Sequence, residues 1–531
     1  MSVFIATIHA GIGAVGVKVG TEIKRVAIVG GGTAGWLTAA RLAYDHRANE
    51  AGGLRVTLVE SPDVGPIGVG EGSWPTLRMT LREIGVSELD FIRECEVTFK
   101  QASKFIAWNT GSTDEAYYHP FTPPEGALSV DMNRAWMKHR PDQAFAFAVS
   151  AQAKLCEAGL GPKQIQTPEY AAFSNYGYHL NADKFGRFLR RYCIDTLGVE
   201  FIEDHITELH TADDGSIRAL QCRERGELPA DLFVDCTGGA SLLIGKHFDA
   251  PFIDCSHILF NNKAMAVQVP YDSPDQDIVS ATLSTAQDAG WIWDIGLQTR
   301  RGVGYVYSDA HTSKDEVWNS LRTYIQKSAK VDPESLSPRD LSFRPGFRST
   351  PWVKNCVAVG MSAGFIEPLE ASAIAMVEIC SKTISNELPA NAEAMEIVAK
   401  RFNQRFVERW ESVIDFLKLH YWLSDREDTA YWRDNKLADT LPDHLGDLLE
   451  LWKYQIPSTA DFQHVLELFG PPSYQYILYG MGYKPLQRMT ASRRDNDARA
   501  EKVFQQVDSN LQQGLRGLPS NRALINALCR T

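Results

Sequence analysis

The sequence predicts an α/β protein built on a Rossmann-like, dinucleotide-binding sheet, and three observations carry that prediction. Four apolar residues, Val26 to Val29, run straight into glycines at Gly30, Gly32 and Gly35, the GxGxxG spacing, and then into helical text from Trp36. A second strand, Leu54 to Val59, follows and ends on the acid Glu60. Two more apolar runs, Leu232 to Asp235 and Cys356 to Val359, end in small-residue turns, as strands returning to the same sheet do. From Phe402 onward the text is helical and aromatic, which predicts a mostly helical cap over a cavity.

Each part of the first unit has a physical job. The glycines permit a tight turn, close backbone approach to a pyrophosphate, and close helix–strand packing. The free N–H groups at the start of the helix favour phosphate. Gly30, Gly31, Gly32, Thr33, Ala34 and Gly35 are therefore the candidate phosphate cradle, and Glu60 the acceptor for ribose hydroxyls.

Composition narrows the function. The 531 residues are 44% hydrophobic and 23% charged, ample for a large core. A net charge of −12 without any basic run argues against nucleic-acid binding. Nine cysteines with no CxxC pair predict neither a metal site nor a disulfide framework, and reduced thiols fit a cytoplasmic protein. Phe4 to Gly20 is apolar and glycine-rich but lacks a basic start and an uninterrupted spanning run, so residues 1–24 read as a disordered extension or an upstream start, with export the lesser alternative. No other segment approaches transmembrane length.

Past Glu60 a second glycine-rich loop appears, Ile67-Gly68-Val69-Gly70-Glu71-Gly72. A simple nicotinamide dehydrogenase has no evident use for it, whereas a flavin ring needs backbone approach well beyond the pyrophosphate. Helices are predicted over 76–84 and 86–94. Lys100 and Lys104 follow in an aromatic-flanked segment, where a solvated pair is the default and a desolvated, reactive amine the alternative. Residues 110–175, rich in proline and aromatics, read as an insertion that builds a cavity. A helix over 182–197, strands at 199–202 and from Ile206, and a hairpin from 290–296 and 302–308 come next. In Phe365-Ile366-Glu367-Pro368-Leu369-Glu370-Ala371 two acids sit in apolar text just before a helix, and acids are rarely buried without a task or partner. A final amphipathic helix is expected after Gly482.

Five of these pieces together resemble the flavin-dependent tryptophan halogenases: Gly30 to Trp36, Gly68 to Glu71, Phe99-Lys100, Trp291-Ile292-Trp293-Asp294-Ile295 and Glu367 to Glu370. The resemblance covers nearly all of the chain after residue 24. It implies a flavin monooxygenase-type fold with FAD bound by residues 25–109 and 176–400, and the substrate by 110–175 and 401–531. It implies that FADH2, supplied by a separate flavin reductase, reacts with O2 to give a flavin hydroperoxide. Chloride or bromide then becomes hypohalous acid, which a lysine relays to an indole-type aromatic. On this reading Lys100 is the relay and Glu370 the base that takes the ring proton. Ser372 and Ala373 hold the halide, His119 and Phe121 contact the substrate ring, and Val69, Gly70, Ile206 and Met361 join the cofactor site. No membrane partner is implied, and a homodimer is left open.

The departures from the family pattern are specific. Gly296 stands where WxWxIP has proline, Ala371 follows the catalytic glutamate where serine is usual, and no tyrosine-rich loop matches within 420–460. They place free tryptophan in doubt as substrate and leave the halogenating residues in place. A flavin-dependent aromatic hydroxylase and a noncatalytic flavin-binding protein are the alternatives. The Lys100–Glu370 pair separates them from a halogenase, since a hydroxylase needs no lysine relay.

Overall fold

The structure, a computed structural model, describes residues 22–63, 65, 70–127, 130–462, 467–486 and 496–530. Most of the predicted N-terminal extension, and Val69 of the second glycine loop, lie outside the described residues. Of the extension's last residues, Glu22 bridges to Asn391 and Ile23 is buried.

One sheet has strands β1 (Arg25–Val29), β2 (Arg55–Glu60), β3 (Glu200–Glu203), β4 (Leu232–Asp235), β5 (Trp352–Val353) and β6 (Cys356–Ala358). Their spatial order is β5-β6-β4-β1-β2-β3, parallel except for β5. The two predicted returning strands, β4 and β6, thus lie together on one side of β1, with β2 and β3 on the other. Helix α1 (Thr33–Asp45) leaves β1 through the glycine turn and is buried along Gly35–Ala43, packed between α2 (Ala182–Asp195) and α3 (Ser372–Asn386). A helix clad on two sides is apolar nearly all round, which its text shows.

A second sheet, of seven strands, runs Arg339–Ser342, Lys263–Pro270, Arg300–Tyr307, Gly290–Gly296, Ala281–Gln287, Ala102–Ile106 and Ala116–Pro120 in spatial order. The predicted hairpin is its centre, with Trp291 opposite Val306 and Trp293 opposite Gly304. A Cβ on Gly304 would lie 2.2 Å from Trp293, so the indole occupies the space that glycine leaves. The strands on either side of position 110 pair with each other, placing Ser103 opposite His119. A small sheet of Gly70–Gly72, Gly177–Asn181 and Thr98–Lys100 lies beside it.

The cap centres on the 32-residue helix α4 (Ala392–Leu423), which starts where Asn391 caps Ala394, ten residues before the predicted helical text. The helix predicted over 86–94 begins at Glu88 because the Ser87 hydroxyl accepts from Asp90 N. The single C-terminal helix expected from sequence is two, Asn496–Gly517 and Asn521–Arg530, separated at Pro519, where a proline cannot continue the backbone ladder.

Candidate functional site

The glycine turn opens into a cavity of about 610 Å³ lined by Gly30, Gly31, Gly32, Thr33 and Ala34, with Glu60, Ile206 and Met361 around it. The three glycines of the motif divide their work as their surroundings dictate. Gly30 has φ +112°, and a Cβ there would fall 2.3 Å from the Cys236 carbonyl oxygen. A Cβ on Gly35 would fall 1.9 Å from the Gly30 carbonyl oxygen, so Gly35 packs beneath the turn and does not line the cavity. At Gly32 a Cβ meets nothing within 4 Å, which leaves a cradle of bare N–H groups at the start of α1. The Glu60 side chain lies against Gly31, and its carboxylate is 3.3 Å from Arg190. Burial raises its pKa more than Arg190 lowers it. Gly70 is also off the lining, because Ile295 fills the space beside it. Glu71, at the end of the second glycine loop, also lines this wall, and sequence reasoning missed Arg187, Arg190 and Asp204, since none of these three belongs to a contiguous motif. Burial pushes the Glu71 carboxyl up to about 7.

Ser372 and Ala373, the first residues of α3, line the same cavity. The turn leading to them is a partition. Glu370 (φ 64°, ψ 9°) and Ala371 (φ 56°, ψ 42°) are consecutive non-glycine residues in the left-handed region, a conformation that costs of order 1 kcal/mol or more each. The surrounding structure holds them there. Trp74 donates its indole N–H to the Glu370 carbonyl at 2.5 Å, and Glu367 Oε2 accepts from Trp291, Asn261 and Tyr421, each at 2.7 Å. Trp291, the first tryptophan of the hairpin, therefore braces the turn. The first strand of the hairpin ends on Gly296, where the family pattern has proline and where a Cβ would meet Tyr271 Oη at 2.8 Å and Ile278 Cγ2 at 2.9 Å.

On the far side of that partition the Glu370 carboxylate is fully enclosed. Ser103 donates to Oε2 at 2.9 Å, and His119 Nδ1 lies 2.6 Å from Oε1. His420 Nε2 stands 3.5 Å from the same Oε1. Burial alone would raise this carboxyl, but the two histidines outweigh it and hold it well below the ordinary carboxylate range. An aromatic wall surrounds the group. Trp74 packs on His119, Phe121 and Phe469 at ring distances of 5.6, 5.0 and 5.2 Å, and Phe416 stacks on Phe469 at 4.0 Å.

Lys100 is completely buried, and its Nζ has no hydrogen-bond partner. The amine lies 5.2 Å from the Phe121 ring centroid, beside Gly72 and close to Ala371. Burial lowers its pKa to about 8, against the opposing pull of Glu370. His179, across the small sheet, is held neutral by burial and by Lys100, with Nε2 2.8 Å from Thr282 Oγ1. Lys104 takes the other course: it pairs with Glu157 at 2.6 Å near the surface. The structure brings the predicted Lys100, His119, Phe121 and Glu370 together, and sequence reasoning missed Ser103, Trp74, His179 and His420 beside them. The pairing of Ser103 with His119 needed the strand register, which no local signal gives.

A Rossmann-like nucleotide cavity, separated by one strained turn from an aromatic chamber holding a lysine and a carboxylate, defines a nucleotide-dependent enzyme acting on an enclosed organic substrate. The tryptophan halogenase family matches residues 25–496. A tryptophan halogenase from Shewanella frigidimarina has 43% sequence identity and a TM-score of 0.93, over 96% of this chain and 98% of that one. The tryptophan 6-halogenase ThaL of Streptomyces albogriseolus is 32% identical over 96% of this chain and 99% of its own. BrvH, a flavin-dependent halogenase from Brevundimonas sp. BAL3, shares 31% identity, with a TM-score of 0.82 and coverage of 95% and 99%. The chain belongs to the tryptophan halogenase family. It is a flavin-dependent halogenase that uses FADH2, O2 and halide. The hydroxylase and noncatalytic alternatives are not favoured. Among the described residues no helix is long and apolar enough to cross a membrane.

Proposed function

We propose that this halogenase acts on indole or a substituted indole rather than on free tryptophan, with Lys100 as relay and Glu370 as base. The observation that carries the residue assignment is the enclosure of both groups on one side of the Pro368–Ser372 turn, with the nucleotide cavity on the other. FAD fits that cavity: the open cradle at Gly32 and α1 suits the pyrophosphate, and Glu60 a ribose. Bound there, the reduced flavin supplies two electrons to O2, which makes halide oxidation possible. A separate reductase delivers it. Ser372 and Ala373, at the N-terminus of a 15-residue helix on the cavity wall, offer N–H groups to the halide. Residues 110–175 and 401–531 supply the substrate side.

The chain's own residues account for the remaining steps. The hypohalous acid meets Lys100, whose amine, unpartnered inside the protein, holds it by hydrogen bonding or as a haloamine. The aromatic walls align the substrate ring and exclude water. When the ring has taken the halogen, Glu370, an anion held ionised by its histidines, accepts the ring proton. Ala371 removes one hydroxyl from this neighbourhood, and the described walls near Glu370 are aromatic, which suits a bare ring better than a zwitterion. The test is kcat/KM for indole and for tryptophan under one halide. Indole should win, and a strong preference for free tryptophan refutes the substrate claim.

A further inference from the structure

Resting on the halogenase reading above, we propose that Ser103 is a positioning residue for the ring-proton transfer: its hydroxyl orients the Glu370 carboxylate so that Oε2, and not Oε1, takes the proton from the halogenated ring. The two oxygens of this enclosed carboxylate have unlike surroundings. His119 Nδ1 lies 2.6 Å from Oε1 and His420 Nε2 lies 3.5 Å from it, and both histidines favour the ionised carboxylate. Two imidazole nitrogens facing one oxygen take up its two lone-pair directions. Oε2 has Ser103 Oγ, at 2.9 Å, as its one hydrogen-bond partner among the described residues. A carboxylate oxygen only accepts, so Ser103 donates, and one lone pair of Oε2 is left for a proton. Lys100 does not compete for it, since its Nζ has no hydrogen-bond partner.

The strands fix this arrangement. Ser103, on the strand Ala102–Ile106, stands opposite His119 on Ala116–Pro120. Directly opposed residues of an antiparallel pair share a face, with Cβ atoms about 5 Å apart, so one cross-strand pair holds both oxygens of the carboxylate. A register slip of one residue would turn Ser103 to the other face. The approach to Ser103 is pinned as well. Gln101 donates its backbone N–H to the Ser280 carbonyl at 2.7 Å and its side-chain amide to the Leu160 carbonyl at 2.7 Å. Ser103 is 2% exposed, so bulk water does not replace its hydroxyl. The residue after Glu370 is Ala371, which brings no hydroxyl of its own.

A hydroxyl suits an oxygen that alternates between base and acid. The ring C–H bond breaks, its electron pair restores aromaticity, and the proton forms an O–H bond at Oε2. Ser103 keeps its own proton throughout. Its hydroxyl donates to the anion and, rotated about Cβ–Oγ, accepts from the acid. An N–H donor at this place would serve the anion alone. The proton passes to water when the product leaves, and Glu370 is an anion again.

The experiment uses the flavin-loaded enzyme with a flavin reductase, and indole either unlabelled or deuterated at the halogenated carbon. In Ser103→Ala, kcat should fall roughly ten- to a hundredfold, the size of a lost hydrogen bond to a charged group. The isotope effect on kcat should rise above that of wild type, because proton removal has become slower, while KM for indole and FAD affinity stay unchanged. Ser103→Thr keeps the hydroxyl and should turn over like wild type. Ser103→Val has the shape of threonine without the hydroxyl and should behave like Ser103→Ala. In a Glu370→Gln background, Ser103→Ala should change kcat by no more than about twofold, since its effect runs through the carboxylate. A wild-type isotope effect in Ser103→Ala, whether or not kcat falls, overturns the proposal. So does a folded Ser103→Thr as slow as Ser103→Val, or a full Ser103→Ala effect in the Glu370→Gln background. Should the threonine and valine variants not fold, Ser103→Ala with and without Glu370→Gln decides alone. A wild-type enzyme that makes no halogenated indole overturns instead the function on which the proposal rests.

Discussion

Lys100 shows what a functional residue costs a fold. An ammonium stripped of water without a hydrogen-bond partner is penalised, and the fall from 10.5 to about 8 corresponds to about 3 kcal/mol of lost stability at pH 7. Lys100→Met should therefore abolish halogenation while raising thermal stability by about that amount, as followed by circular dichroism. The gap between wild type and variant should be constant below about pH 8. It should close as pH rises from there toward 10.5, where the unfolded chain also loses its proton. Glu370 is the opposite case, an acid whose charge is welcomed. Glu370→Gln should slow turnover by roughly 10²–10⁴ and leave FAD binding intact, as read by steady-state kinetics and flavin titration. Lys100 was legible in the sequence only through resemblance, because nothing local to Phe99–Lys100 distinguishes it from the surface lysine four residues later, whereas Glu370 stood out as an acid in apolar text. Burial decides between the two lysines, and burial is a property of the folded chain.

Among the elements, the glycine turn and the Pro368–Ser372 turn behave differently. The glycine turn is written in its sequence, since strand, spacing and helix follow one another and each constraint is local. Its glycines are not equivalent. Gly32→Val should fold and melt like wild type yet weaken FAD roughly tenfold or more, about 1.4 kcal/mol per tenfold, because its side chain points into open space in the cradle. Gly35→Ala should instead destabilise the protein by about 3 kcal/mol, its methyl having to displace backbone 1.9 Å away. Melting temperature and flavin titration on the same two variants separate these outcomes. The Pro368–Ser372 turn is illegible by comparison. Its left-handed residues carry no glycine to mark them, and the bonds that hold it come from Trp74 and, through Glu367, from Trp291, Asn261 and Tyr421, far away along the chain. Glu367, the other acid of that apolar stretch, sits at the hub of that brace.

At the scale of the whole molecule, the two sheets and the cap assign separate chemistry to separate rooms. On the proposed reading, flavin chemistry belongs to the cavity beside α1 and α3, and ring chemistry to the aromatic chamber under α4. On that reading too, the oxidant passes between them at the Pro368–Ser372 turn, beside which Lys100 lies. The sheet order around β1 followed from the apolar runs, whereas the residues of the chamber did not. His420 meets Glu370 and Phe416 meets His119 only because α4 folds back across the second sheet, and aromatic text in a helix reads equally well as core. One mass-spectrometric measurement tests the division directly: indole, halide, O2, NADH and FAD with the purified protein, with and without an unrelated flavin reductase, for wild type and Lys100→Ala. Halogenated indole from wild type only when the reductase is present, and none from a Lys100→Ala protein that still binds FAD, is the expected result. Hydroxylated indole, or efficient turnover with NADH alone, would contradict it.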